Sequence, residues 1–154
     1  MIKLKPIATV KNSRTKISDD HWGGVISEII LKKDLSEEVF LGIGSYSHLE
    51  IIFYFDRVKD ADILRTSGHP REDKNFPLMG IFAQRKKNRP NKIGHTVVEL
   101  VEHKGRSLFV KELDAIDGTP VLDIKPVVKE FLPKAEIRQP KWVSEMMKDY
   151  WKEK

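Results

Sequence analysis

His48-Leu49-Glu50-Ile51-Ile52-Phe53-Tyr54-Phe55 is the most apolar stretch of the chain. In an extended conformation successive side chains point to opposite faces, so Leu49, Ile51, Phe53 and Phe55 share one face and Glu50, Ile52, Tyr54 and Asp56 the other. The first face is wholly apolar, which predicts a central strand with its odd-numbered residues in the core. Upstream, Gly23-Gly24 opens a second strand over Val25 to Leu31, rich in β-branched residues. Ile7 to Val10 reads as a first strand, ended by the polar turn Asn12-Ser13-Arg14. Leu35 to Phe40 has room for one helical turn, stopped by Gly42 and Gly44.

Downstream, Lys59 to Pro77 is polar and punctuated by Gly68, Pro70 and Pro77, which predicts a long surface loop. Leu78 to Ala83 returns to strand character and runs into a charged segment; Thr96 to Val101 and Ser107 to Lys111 then form a hairpin about Lys104-Gly105. Several strands joined by short turns predict a mainly β fold, a small closed antiparallel barrel that leaves no free edge. The C-terminal segment differs in kind. Pro140 suits a helix start, and Trp142, Val143, Met146, Met147, Tyr150 and Trp151 make one apolar stripe over an amphipathic helix spanning 140–152. Docking of that stripe on the barrel is favoured over a dimer contact, and neither needs a special motif.

The chain has 154 residues, 40% hydrophobic and 33% charged, a balance expected of one globular domain over 1–154. No apolar run approaches the roughly 20 residues needed to cross a bilayer, and Met1 to Pro6 lacks a secretory core, which points to the cytoplasm. With no cysteine, thiolate nucleophiles and thiolate metal sites are excluded. The five histidines show no compact ligand spacing, so no metal site is expected. The net charge of +5 favours an anionic partner. Arg85, Lys86, Lys87, Arg89 and Lys92 fall close together; they are either a solvated face or a phosphate contact.

Three segments pack polar and backbone-special residues densely. Gly80 to Gly94 feeds a strand into the basic loop, with Arg85 at the strand end, where a guanidinium can take a carboxylate or phosphate in two-pronged fashion. Leu113 to Pro126 holds the turn signal Asp117-Gly118-Thr119-Pro120 within a rigid loop that also carries Asp114, Asp123 and Lys125. Tyr46-Ser47-His48-Leu49 precedes the central strand, and Asp56-Arg57 follow it. Ser47 and His48 invite a hydrolase reading, which fails for want of a nucleophile elbow and because strand neighbours point apart. Gly42-Ile43-Gly44 fails as a dinucleotide fingerprint, since Ser47 stands at the third glycine position.

At these segments, from about Ile7 to Phe131, the chain resembles the TrmO (TsaA-like) family. The shared pattern joins a Ser-His-hydrophobic strand, a Gly-hydrophobic-Phe-Ala-x-Arg segment continuing to Arg-Pro-Asn-x-Ile-Gly, and a Leu-Asp-x-x-Asp-Gly-Thr-Pro-Val-x-Asp-Ile-Lys-Pro segment. The resemblance implies a β-barrel rather than a Rossmann sheet, S-adenosylmethionine as methyl donor, and a homodimer with its site near the subunit interface. It also implies methylation of N6 of the threonylcarbamoyl-adenosine beside the tRNA anticodon. Carried over by position, it implies that Arg85, His95, Lys111, Glu112, Leu113 and Asp114 line the cofactor site, with Asp56 and Arg57 at the end of the central strand. Asp117, Gly118, Thr119, Pro120, Asp123 and Lys125 would shape the adjoining loop, and Lys86, Lys87, Arg89 and Lys92 would meet RNA.

Two departures bear on the substrate. Where many members carry Pro-Arg-Gln near the cofactor, this chain has Asp20-His21-Trp22; Trp22 either stacks on a purine or simply packs. Lys92 stands where a proline is common. The competing functions are a methyltransferase acting on another RNA or a small molecule, and a noncatalytic RNA-binding barrel.

Overall fold

The computed structural model describes residues 1–154. Eight strands form: β1 (Ala8–Lys11), β2 (Ile26–Leu31), β3 (His48–Tyr54), β4 (Ser67–Gly68), β5 (Met79–Gly80), β6 (Ile93–Lys104), β7 (Ser107–Lys111) and β8 (Pro120–Pro126). One helix, α1, covers Lys141–Met147. Six strands close a barrel in the order β1-β2-β7-β6-β3-β8, with β8 pairing back to β1 and every pair antiparallel. The mainly β, barrel reading of the sequence therefore holds.

β3 is central, flanked by β6 and β8. Its alternation is the one expected: Leu49, Ile51 and Phe53 are buried while Glu50, Ile52 and Tyr54 are half-exposed. They join Ala8, Val10, Ile29, Leu31, Val98, Leu108, Val110 and Val121 from the other strands in one core. Phe53 pairs across the ladder with Gly94, and only a residue without a side chain leaves room for its ring. The β6–β7 hairpin turns at Gly105, which adopts a positive φ of 57°.

Three elements depart from expectation. Leu78 to Ala83 is not a barrel strand: Met79–Gly80 pairs only with Ser67–Gly68, and Ile81–Ala83 forms a 3-10 turn. Six strands already close the barrel, so this segment has no ladder edge to join, and Phe82 is left exposed. Conversely, Pro120–Pro126 is a strand rather than part of a loop; Pro120 sits at its first position, where a missing N–H is tolerated. The helix is also shorter than 140–152, giving way to turns after Met147. Its stripe docks on the body, with Trp142 6.0 Å from Phe76 in ring centroids, but no residue of α1 is fully buried. No helix is long and apolar enough to cross a membrane.

Candidate functional site

The loop after β1 is tied to the Asp117 turn by polar groups that both need. The Asn12 amide N–H donates to Asp117 Oδ1 at 3.0 Å, and its side chain donates to the buried Ser27 hydroxyl at 2.9 Å and to the Ala115 carbonyl at 2.8 Å. Asp117 and Gly118 donate their own amides to the Arg14 and Val10 carbonyls, both at 2.7 Å. Gly118 takes a φ of 85°, and the buried Thr119 hydroxyl closes on the Ile116 carbonyl. Asp117, Gly118, Thr119 and Pro120 are therefore turn formers that hold the neighbouring loop.

That loop carries His21 and Trp22. Arg14 donates to the His21 and Asp20 carbonyls at 2.6 and 3.0 Å and lies 3.9 Å over the Trp22 ring. Asp20 in turn pairs with Arg71 at 2.8 Å. These bonds keep His21 in the left-handed region, φ 66°, a cost that the surroundings offset. Trp22 is only 2% exposed with one face under Arg14, so it packs and offers no free face for stacking. His21 Nδ1 and Trp22 Nε1 are buried without a hydrogen-bond partner.

Past β7 the chain bends at Glu112, φ 66°, and places Leu113 in the core and Asp114 half-buried beside it. Leu113 is fully buried and serves the core, so it offers a ligand no accessible surface here. Asp114 accepts from the Thr96 hydroxyl on one carboxylate oxygen and from the Tyr150 hydroxyl on the other. Arg85 donates to the carbonyl of His95, the neighbour of Thr96 on β6. Burial, then the Asp114 carboxylate, push the Tyr150 phenol far above its ordinary range, and the nearby Arg85 charge opposes them. The backbone amides of His21 and Trp22 donate to the carbonyls of Asp149 and Tyr150 at 3.1 and 2.8 Å. Arg85, Asp114 and the backbone of His21 and Trp22 thus meet around Tyr150, whereas His95 contributes only its carbonyl and its exposed side chain lies on the opposite face of β6 from Thr96. A cleft of about 360 Å³ opens alongside, between Ser13, Arg14, His21, Gly24, Ile26 and Glu153.

Other predicted residues lie apart from this cluster or are engaged elsewhere. Asp123 and Lys125 pair with each other at 3.0 Å on β8. Arg57 donates to the Thr15 carbonyl at 3.2 Å, bracing the loop below the site, whereas Asp56 is exposed. Within the basic segment, Arg89 turns inward to the Gln84 and Lys86 carbonyls at 2.7 and 3.3 Å. Lys92 reaches the Val58 carbonyl at 3.0 Å and Asp60 at 3.2 Å. Its contact with Tyr54, then Asp60, hold the ammonium above the usual lysine range. Both cations serve the surrounding loops first, satisfying the Gln84, Lys86 and Val58 carbonyls. Lys86 lies 3.9 Å from Glu72, and Lys87 makes no ion pair or side-chain hydrogen bond.

Ser47 and His48 do share a hydrogen bond, Oγ to Nδ1 at 2.7 Å, contrary to the strand-alternation argument. Ser47 precedes β3, so the alternation does not govern it. The pair is exposed and has no carboxylate hydrogen-bonded to it. No group of three or more acidic or histidine side chains is arranged to hold a metal.

The site depends on four residues that sequence reasoning did not single out for it: Asn12, Arg14, Thr96 and Tyr150. Thr96 carried a usable signal. It falls at an inward position of β6, between Gly94 and Val98, and a buried hydroxyl there requires a partner. Tyr150 was visible only as part of an apolar stripe.

Residues 17–131 match the tRNA-methyltransferase O N-terminal domain. The chain belongs to this family. A probable S-adenosyl-L-methionine-binding protein of Pyrococcus abyssi is 43% identical over 96 residues, covering 62% of this chain and 50% of that protein. The tRNA (adenine(37)-N6)-methyltransferase of Escherichia coli is 44% identical over 100 residues, covering 62% of this chain and 40% of that protein. The chain thus spans half or less of the length of these relatives. The crystal structure of a TrmO from Pseudomonas aeruginosa superposes with a TM-score of 0.74 at 24% identity, over 92% of this chain and 62% of that one, which supports the TrmO fold.

Proposed function

We propose that this protein is an S-adenosylmethionine-dependent methyltransferase that modifies N6 of an adenosine in tRNA, in the finer form the threonylcarbamoyl-adenosine beside the anticodon. The observation that carries the reading is the approach of Arg85, held on the His95 carbonyl, and of Asp114 to the same tyrosine inside the TrmO-matched region. The likeness to a probable S-adenosyl-L-methionine-binding protein and to a tRNA (adenine(37)-N6)-methyltransferase supports it.

The donor set suits such a cofactor. A carboxylate at Asp114 accepts from ribose hydroxyls or an ammonium, and a guanidinium at Arg85 takes a carboxylate. His21, whose Nδ1 is buried without a hydrogen-bond partner, also lines the adjoining cleft. When bound, the cofactor supplies an electrophilic methyl group on a sulfonium. This chain's residues then have alignment and charge placement as their task, because the displacement is in-line and gains most from orientation. The Asp117 turn and the Arg14 bonds hold the walls against which that orientation is set. Lys87 is the unpaired lysine of the basic segment left for phosphate contact, with Lys86 beside it already paired to Glu72.

We further propose that residues 1–154 act as one domain and that two copies associate. Leu41, Val39 and Tyr46 are 89%, 56% and 42% exposed around one depression shared with Ile43 and Ile124, an apolar surface of the kind that a second copy covers. A methyltransferase for a smaller acceptor is the second reading, favoured by the internal engagement of Arg89 and Lys92.

Titration of the purified protein with S-adenosylmethionine tests the cofactor assignment. Wild type binds, and Arg85→Ala weakens binding by about 10- to 100-fold, the worth of one charge-assisted contact. No binding to either protein, with or without tRNA, refutes the assignment. Lys87→Glu separates the two acceptors: it suppresses methylation of tRNA and leaves a small acceptor untouched.

A further inference from the structure

Both oxygens of Asp114 are taken, one by Thr96 and the other by Tyr150. Thr96 is buried on β6 and cannot withdraw without breaking the barrel wall. Tyr150 belongs to a segment held far more lightly. The preceding α1 has no fully buried residue, Trp151 is 39% exposed, and the backbone attachment to the barrel is two hydrogen bonds, from His21 and Trp22. Such segments open at low free energy.

Resting on the cofactor reading above, we propose that residues 149–153 are an autoinhibitory strap: the Tyr150 hydroxyl occupies Asp114 in place of a ligand hydroxyl or amino group, and ligand binding requires the strap to swing away. The fit of the strap at Gly23 supports a seated rather than incidental position. A Cβ at Gly23 would collide with the Trp151 carbonyl oxygen and lie 2.8 Å from the carbonyl carbon, and a Cβ at Gly24 would meet the Glu153 side chain at 3.0 Å. The strap therefore competes at Asp114 while its backbone holds the His21–Trp22 loop, so one motion frees the carboxylate and releases the loop wall. Its closure reduces apparent affinity by the fraction of molecules that are open.

Two single substitutions in the full chain open the strap by unrelated means. Tyr150→Phe removes the competing hydroxyl, and Gly23→Ala forces the Trp151 carbonyl away without touching Asp114. Calorimetric titration with S-adenosylmethionine is expected to show binding tightened about fivefold in each, the effect of deleting one competing hydrogen bond. In the wild type, saturation should strip the His21 and Trp22 amides of hydrogen-exchange protection. Equal or weaker binding in both variants, or amides that stay protected at saturation, overturns the strap while leaving the cofactor reading intact. Absence of binding in all three proteins refutes the cofactor reading itself, and the gating role falls with it.

Discussion

Replacing Gly94 by alanine tests how the barrel is filled. The new Cβ would stand 2.5 and 2.6 Å from Phe53 Cε2 and Cζ and 2.9 Å from Phe55 Cζ. Carbon atoms rest at about 3.5–4.0 Å, so roughly an ångström of overlap must be relieved. Phe53 is 2% exposed and cannot retreat into solvent; it also meets Phe55 edge-on at 5.3 Å, so moving either ring spoils the pair. Overpacking costs about 1–3 kcal/mol, and loss of an edge-to-face pair about 1 kcal/mol. Reduced freedom of the unfolded chain returns about 0.4–1 kcal/mol, because Gly94 is not among the positive-φ residues. The net expectation is a loss of about 2 kcal/mol, read by urea unfolding followed by circular dichroism, or as a fall of about 4–8 °C in Tm. Phe53→Leu in the same chain should recover part of the loss, with a coupling above about 0.5 kcal/mol. A Gly94→Ala protein as stable as wild type, or a double variant whose losses simply add, would refute this account of the core.

Asn12→Ala strands the buried Ser27 hydroxyl and the Ala115 carbonyl, and should cost about 1–3 kcal/mol in chemical denaturation; a neutral result would remove Asn12 from the site's scaffold. Arg89→Ala should destabilise the protein measurably while Lys87→Ala does not, with tRNA affinity following the opposite order in filter binding at low salt. The Tyr150 phenol is held above 10, so the stabilisation it contributes is fully present below that pH and is lost as pH rises beyond it. Phenolate absorbance should accordingly show one tyrosine that ionises only as the protein loosens in alkali, and Tyr150→Phe should delete that step; ionisation of Tyr150 in the ordinary phenol range would contradict it.

The strands were legible wherever one face is buried and the other is not. β3 shows this best, because Leu49, Ile51 and Phe53 must all enter the core together. Leu78 to Ala83 misled because local apolarity carries no information on whether a ladder edge is free. β8 hid behind two prolines, two charges and a turn signal, which locally resemble a loop; its strand character comes from β3 and β1 on either side. At the site, Arg85 and Asp114 were legible from their motifs, but their partners were not. The bond between Asp114 and Tyr150 spans 36 residues, and the carbonyls that engage Arg89 and Lys92 exist only once the loop has turned. A run of cations announces charge; it does not say how much of that charge the chain spends on itself.

The activity proposed for this protein is methyl transfer to tRNA. Purified protein incubated with methyl-labelled S-adenosylmethionine and tRNA carrying the threonylcarbamoyl modification, followed by digestion to nucleosides and mass analysis, measures it directly. The account predicts label in one N6-methylated adenosine derivative, strongly reduced in Arg85→Ala. Label absent from tRNA while the protein binds the methyl donor would contradict it.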